Sequence, residues 1–222
     1  MSTIKVTNVS HPSAASPAIV LDADGDATYA GVHDFSAATV TGAPQGLVLV
    51  TPTSIANLGG SASVSGGAVT LTGVTSVSLN GVFTSTYQNY SIVANITNSD
   101  ATKVNFRLRL GGTDNTGNYR TAYAYTSSAT GWTVNQINPD SYGQLGWATT
   151  VPSLIVANFA NPQSASETQG SHTSSAAPGA PTVGIFLFSF RKDDSNQYDG
   201  ITIYPLSGNS TGTIRVYGYQ NS

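Results

Sequence analysis

The residues able to do chemistry are few. Asp22, Asp24 and Asp26 surround Gly25 and present clustered oxygens of the kind a hard cation takes. The spacing does not complete a helix-loop-helix calcium loop: Gly25 is misplaced, and no Glu closes the loop twelve positions on from Asp22. An ordinary turn is expected there. Asp193, Asp194 and Asp199 form a second acidic group around Asn196 and Tyr198, with no His or Glu close in sequence to complete a metal site, so it reads as a solvated hairpin loop. Glycan cleavage needs two carboxyls facing each other across a sugar cleft. The one glutamate, Glu167, sits in a Ser- and Gly-rich stretch, and the aspartates fall mostly in turn sequences. A Ser-His-Asp triad is no better supported, because His11 and His33 lie near the N-terminus, His172 lies in a Ser/Ala/Gly/Pro-rich stretch, and no Gly-x-Ser-x-Gly elbow occurs. No catalytic residue, no metal site and no cofactor is implied.

Aromatic residues are the remaining candidates. Tyr123, Tyr125, Trp132, Tyr142 and Trp147 crowd one quarter of the chain. Aromatic faces serve sugar C–H surfaces and protein interfaces alike, so Trp132, Tyr142 and Trp147 are the candidate contacts to a receptor or glycan. Tyr123 and Tyr125 share one face of an alternating segment and read as core or interface.

Composition narrows the setting. Of 222 residues, 9% are charged, against roughly 25% in an average soluble protein. The net charge is -3 and the eight basic residues are scattered, so no electrostatic footprint for nucleic acid exists. Cysteine is absent, which excludes disulfides and thiolate metal sites. No apolar run reaches the ~18 residues of a membrane span, so no membrane insertion is expected. The start MSTIKVTNVSHPS has no secretory apolar region, which implies synthesis in a cytoplasm and release by another route.

Period-two alternation dominates, and no run of helical period exceeds about one turn. Val104, Phe106, Leu108 and Leu110 alternate with Asn105, Arg107 and Arg109; Tyr90, Ile92, Ala94 and Ile96 alternate likewise. The stretch 184–190 is apolar on both faces, as in a strand covered on both sides or lying at a subunit interface. With turn signals such as Asn80-Gly81 and Asp114-Asn115-Thr116-Gly117 between segments, this predicts an all-β chain whose main part is an antiparallel, jelly-roll-like β-sandwich of seven or eight strands. Residues 1–45 read as an extended N-terminal docking arm, with Ile4, Val6, Val9, Ile19 and Leu21 as its apolar contacts; residues 46–75 read as a β-hairpin connector, and 76–222 as the sandwich. The polar stretches 127–152 and 161–181 read as long exposed loops.

Several segments resemble a family of bacteriophage tail and fibre proteins, as in phages of marine and soil bacteria. They are GLVLVTPTS (46–54), SVSLNGVFTSTYQNY (76–90), VNFRLR (104–109), DGITIYP (199–205) and GTIRVYGY (212–219), together with the opening MSTIKV, His11-Pro12 and IVLDADG (19–25). Each is a strand or turn pattern, so the resemblance bears on role and fold and transfers no catalytic residue. It implies a virion structural protein, a short tail-fibre or tail-tip adhesin exposed on the particle, with a head fibre or capsid decoration protein as the alternative and a glycan depolymerase as a more remote one. Its partners would be other virion proteins, a host-surface glycan or protein, and copies of itself, with a homotrimer favoured.

Overall fold

The computed structural model of the chain describes residues 8–9, 19–21, 27–29, 46–126, 131–179 and 182–220. Two compact units form, Met1–Pro44 and Gln45–Ser222. In the first, β1 (Asn8–Val9), β2 (Ile19–Leu21) and β3 (Ala27–Tyr29) pair antiparallel in that order, with Val9 opposite Ile19 and Leu21 opposite Ala27. Of the expected docking residues, Ile4 and Val6 lie outside the described residues, as do Asp22, Asp24, Asp26, His11 and His33.

The second unit contains β4 (Leu47–Val50), β5 (Ser54–Leu58), β6 (Ser61–Ser65), β7 (Ala68–Val74), β8 (Ser76–Asn80), β9 (Asn89–Asn98), β10 (Thr102–Leu110) and β11 (Thr113–Asp114). It continues through β12 (Tyr119–Thr126), β13 (Thr133–Asp140), β14 (Gly143–Ala148), β15 (Ser153–Ala160), β16 (Thr168–Gly179), β17 (Thr182–Lys192), β18 (Gly200–Pro205) and β19 (Ser210–Tyr219). A ribbon of eight strands rolled on itself pairs the first with the last, the second with the seventh, the third with the sixth and the fourth with the fifth. The antiparallel pairs β7–β19, β8–β18, β9–β15 and β10–β14 follow that scheme. The all-β antiparallel sandwich expected from the sequence is thus formed, and its winding is that of a jelly roll.

Two insertions enlarge it. The chain leaves the roll after β10 to make β11, β12 and β13, and again after β15 to make β16 and β17. Four of these strands extend one sheet, whose order becomes β13-β12-β17-β16-β15-β9-β19-β7-β6, with β4 also on β19. The opposing six-stranded sheet runs β11-β10-β18-β8-β5, with β14 also on β10.

Three segments depart from expectation. Residues 46–75, read as a connector, put strands into both sheets and bury Val69, Leu71 and Val74 in the core. The stretch 161–181 is no loop for most of its length, because β16 lies between β15 and β17 with Thr168, His172 and Ser174 buried. Its alternation is carried by small polar residues inside and out, which hides the period from any hydrophobicity reading. Likewise β13 and β14 occupy most of 127–152; β13 is almost wholly exposed at the sheet edge and so has no apolar face to reveal it.

The core lies between the sheets. Phe106 meets Tyr119, Phe159, His172 and Phe190 with ring centroids 4.9–5.8 Å apart. Such closeness needs bare backbone opposite the rings: a Cβ on Gly143 would lie 2.3 Å from Phe106, and one on Gly170 would lie 2.3 Å from Phe190. The β6–β7 hairpin turns on Gly66 and Gly67, both at positive φ, the conformation that two-residue hairpin turns require.

Candidate functional site

Trp132, Tyr142 and Trp147 occupy three different settings. Trp132 precedes the edge strand β13 and is 56% exposed. Tyr142, in the turn before β14, meets Tyr204 of β18 edge-on at 6.4 Å. Trp147 on β14 stacks on Phe186 at 5.3 Å, in a second apolar cluster that includes Phe188, Tyr123 and Tyr125. Its backbone N–H donates to the Ser174 hydroxyl at 3.0 Å, which ties β14 of one sheet to β16 of the other. Trp147 is therefore engaged in packing, Tyr142 is half-buried against Tyr204, and Trp132 is the most exposed of the three.

The acidic group near the C-terminus is dispersed. Asp193 pairs with Arg120 and Arg191, whose hydrogen bonds hold its carboxyl below the usual carboxylate range. Asp194 pairs with the buried Lys192 and accepts the Tyr198 hydroxyl at 2.7 Å. Asp199 accepts the Gly111 N–H at 3.0 Å. Among the described residues no group of three or more His, Asp or Glu converges on a point. His172, expected in a loop, is buried on β16 among the rings of Phe106, Phe159 and Phe190.

What the fold does assemble lies on the outer face of the ten-stranded sheet. The β15, β16 and β17 registers set Asn158 beside Ser171 and Ser171 beside Ser189; β12 and β13 continue this row with Ala122 and Gln136. Short side chains along the row leave a depression between taller neighbours. One lobe, of about 420 Å³, runs from Asn89 and Tyr219 across Asn158 to Gln169 and Ser189. A second, of about 240 Å³, runs on from Gln169 and Ser189 to Gln136, Asn138, Arg120 and Arg191. The two lobes adjoin at Gln169, Ser189 and Phe190, which line both, and together they make an elongated trough. Tyr219 donates its hydroxyl to Asn158 Oδ1 at 3.1 Å, fixing the amide at one end. No signal in the sequence marks these residues, since they are brought together only by strand register.

Compared with protein-family models, curated proteins and solved structures, the chain matches none. No helix long and apolar enough to cross a membrane is present among the described residues.

Proposed function

We propose that this chain is a bacteriophage virion structural protein, a short tail-fibre or tail-tip adhesin that docks through residues 1–45 and presents its jelly roll to the host surface. The observation that carries the reading is the division of the chain: a small N-terminal unit, Met1–Pro44, followed by a self-contained sandwich, Gln45–Ser222, with its own core. Fastening and presentation then fall to different parts. The strand and turn segments that resemble phage fibre proteins support the same role, and the charge-poor surface suits dense packing of subunits on a particle. A homotrimer is part of the proposal. It is supported by the second face of β17, where Ile185 and Leu187 are 51% and 42% exposed in the single chain and would gain cover from a neighbouring copy.

Electron microscopy of particles labelled with an antibody against residues 45–222 tests the assignment. Label at the tail tip is the expected result. Label on the capsid would replace the adhesin by a head fibre or decoration protein, and unlabelled particles would overturn the virion role. Light scattering on the purified protein tests the trimer, and a monomer at micromolar concentration would remove it.

A further inference from the structure

We infer that the trough on the outer face of the ten-stranded sheet binds an uncharged oligosaccharide chain without cleaving it; this deepens the adhesin reading and rests on it for the source of the glycan. Its lining is the first reason. Asn158, Gln169, Ser171, Ser189, Gln136 and Asn138 offer amide and hydroxyl groups, each able to donate and accept, which is what sugar hydroxyls demand. The Tyr219 hydroxyl occupies Asn158 Oδ1 and so leaves the amide NH2 of Asn158 to donate outward. Tyr219 itself is 39% exposed at the trough's end, where its ring can take the C–H face of a sugar.

Charge is the second reason. No Asp or Glu lines either lobe, and the cations at the far end are already matched: Arg120 and Arg191 both pair with Asp193, and Arg191 lies 3.8 Å from Glu167. The neighbouring carboxylates offset the charge of both arginines, so a uronate or sulfate gains less there than at an unpaired cation, whereas a neutral chain needs no charged partner. The absence of lining carboxylates also leaves no acid and base to flank a glycosidic bond.

Shape is the third. From Asn89 on β9 to Asn138 on β13 the trough crosses six strands, roughly 24 Å at the usual inter-strand spacing, so it suits a chain of several sugars rather than one. Ile185 and Leu187, the proposed subunit contacts, precede Ser189 on β17 and lie outside the trough lining, so oligomerisation and binding use different parts of one face.

Purified full-length protein on an array of neutral and uronate-containing bacterial surface oligosaccharides, followed by calorimetry on the hits, decides. A neutral series should bind, more tightly with length, and without release of new reducing ends. Ser189→Trp, which fills the trough, and Asn158→Ala, which removes its fixed amide, should each weaken binding roughly tenfold or more while melting as the parent does. Ser63→Trp, on the exposed edge strand β6, should bind normally. No neutral ligand, binding of uronate chains alone, or parental affinity in both trough variants would overturn the inference. Particle labelling stands apart from these outcomes: a labelled tail with an inert trough leaves the adhesin and removes the glycan site.

Discussion

His172 stacks against Phe190 with ring centroids 5.1 Å apart and planes 18° from parallel. The imidazole is buried and also meets Phe106 and Phe159 at 5.8 and 5.2 Å. It behaves there as one more aromatic ring. Burial disfavours the charged form and lowers its pKa from the ordinary 6.5 to about 3.

Acid lability follows. Because the folded pKa lies below the unfolded one, the unfolded chain binds the extra proton, and stability falls as pH drops from about 6.5 toward about 3. Two pH units below the unfolded value the loss is on the order of 3 kcal/mol. Denaturant melts across that range should show it, and His172→Phe should flatten the profile. An unchanged slope in the variant would mean that other groups set the acid response.

Lys192 makes a second prediction. Its side chain is 0% exposed, its ammonium lies 4.8 Å from the Tyr119 ring centroid, and Asp194 is its ionic partner. Burial opposes ionisation of Asp194, yet the hydrogen bonds from Lys192 and Tyr198 bring its pKa below the usual carboxylate range. Asp194→Ala would strand a buried cation and should cost about 3–5 kcal/mol. Replacing both partners, Lys192→Met with Asp194→Asn, should recover most of that loss, because no unpaired charge remains. Chemical denaturation of Lys192→Met, Asp194→Asn and the double variant measures the difference; a double-variant loss equal to the sum of the two single losses would show that the pair contributes no coupling.

The two tryptophans should separate cleanly by the same measurement. Trp147→Ala removes a ring stacked on Phe186 and should cost about 2–3 kcal/mol, below the 3–5 of a fully buried aromatic because Trp147 is only partly covered. Trp132→Ala should leave the melt nearly unchanged, since the ring is mostly in solvent. If Trp132 nonetheless contributes to host contact, adsorption should fall in its variant alone.

Sequence reading succeeded where burial is apolar and alternates. Val104, Phe106 and Leu108 announce β10, and Tyr90, Ile92, Ala94 and Ile96 announce β9, paired on both sides in the sheet. It failed on β16, where Thr168, Gly170, His172 and Ser174 make the inward face and Ser, Thr and Gln the outward one, so neither side looks hydrophobic. The trough was out of reach for a different reason. Asn158 and Ser189 lie in separate strands and become neighbours only because β16 is threaded between them, a pairing that no local spacing encodes.

Removing residues 1–44 should leave the sandwich folded while abolishing attachment to the particle. Among the described residues, the core cluster of the second unit draws its buried side chains from Val69 to Val216, and the partly buried ones that pack on it begin at Val50. The strands that complete the two sheets begin at Leu47, and β4 is held by the C-terminal strand through Val50 opposite Val216. The truncated protein should therefore melt within a few degrees of the full chain, a change of less than about 1 kcal/mol for a unit of this size. If residues 1–45 are the docking element, particles assembled with the truncated chain should lack it. A melting temperature lowered far beyond that range would make the N-terminal unit part of the fold, and normal occupancy in particles would move the docking surface onto the sandwich itself.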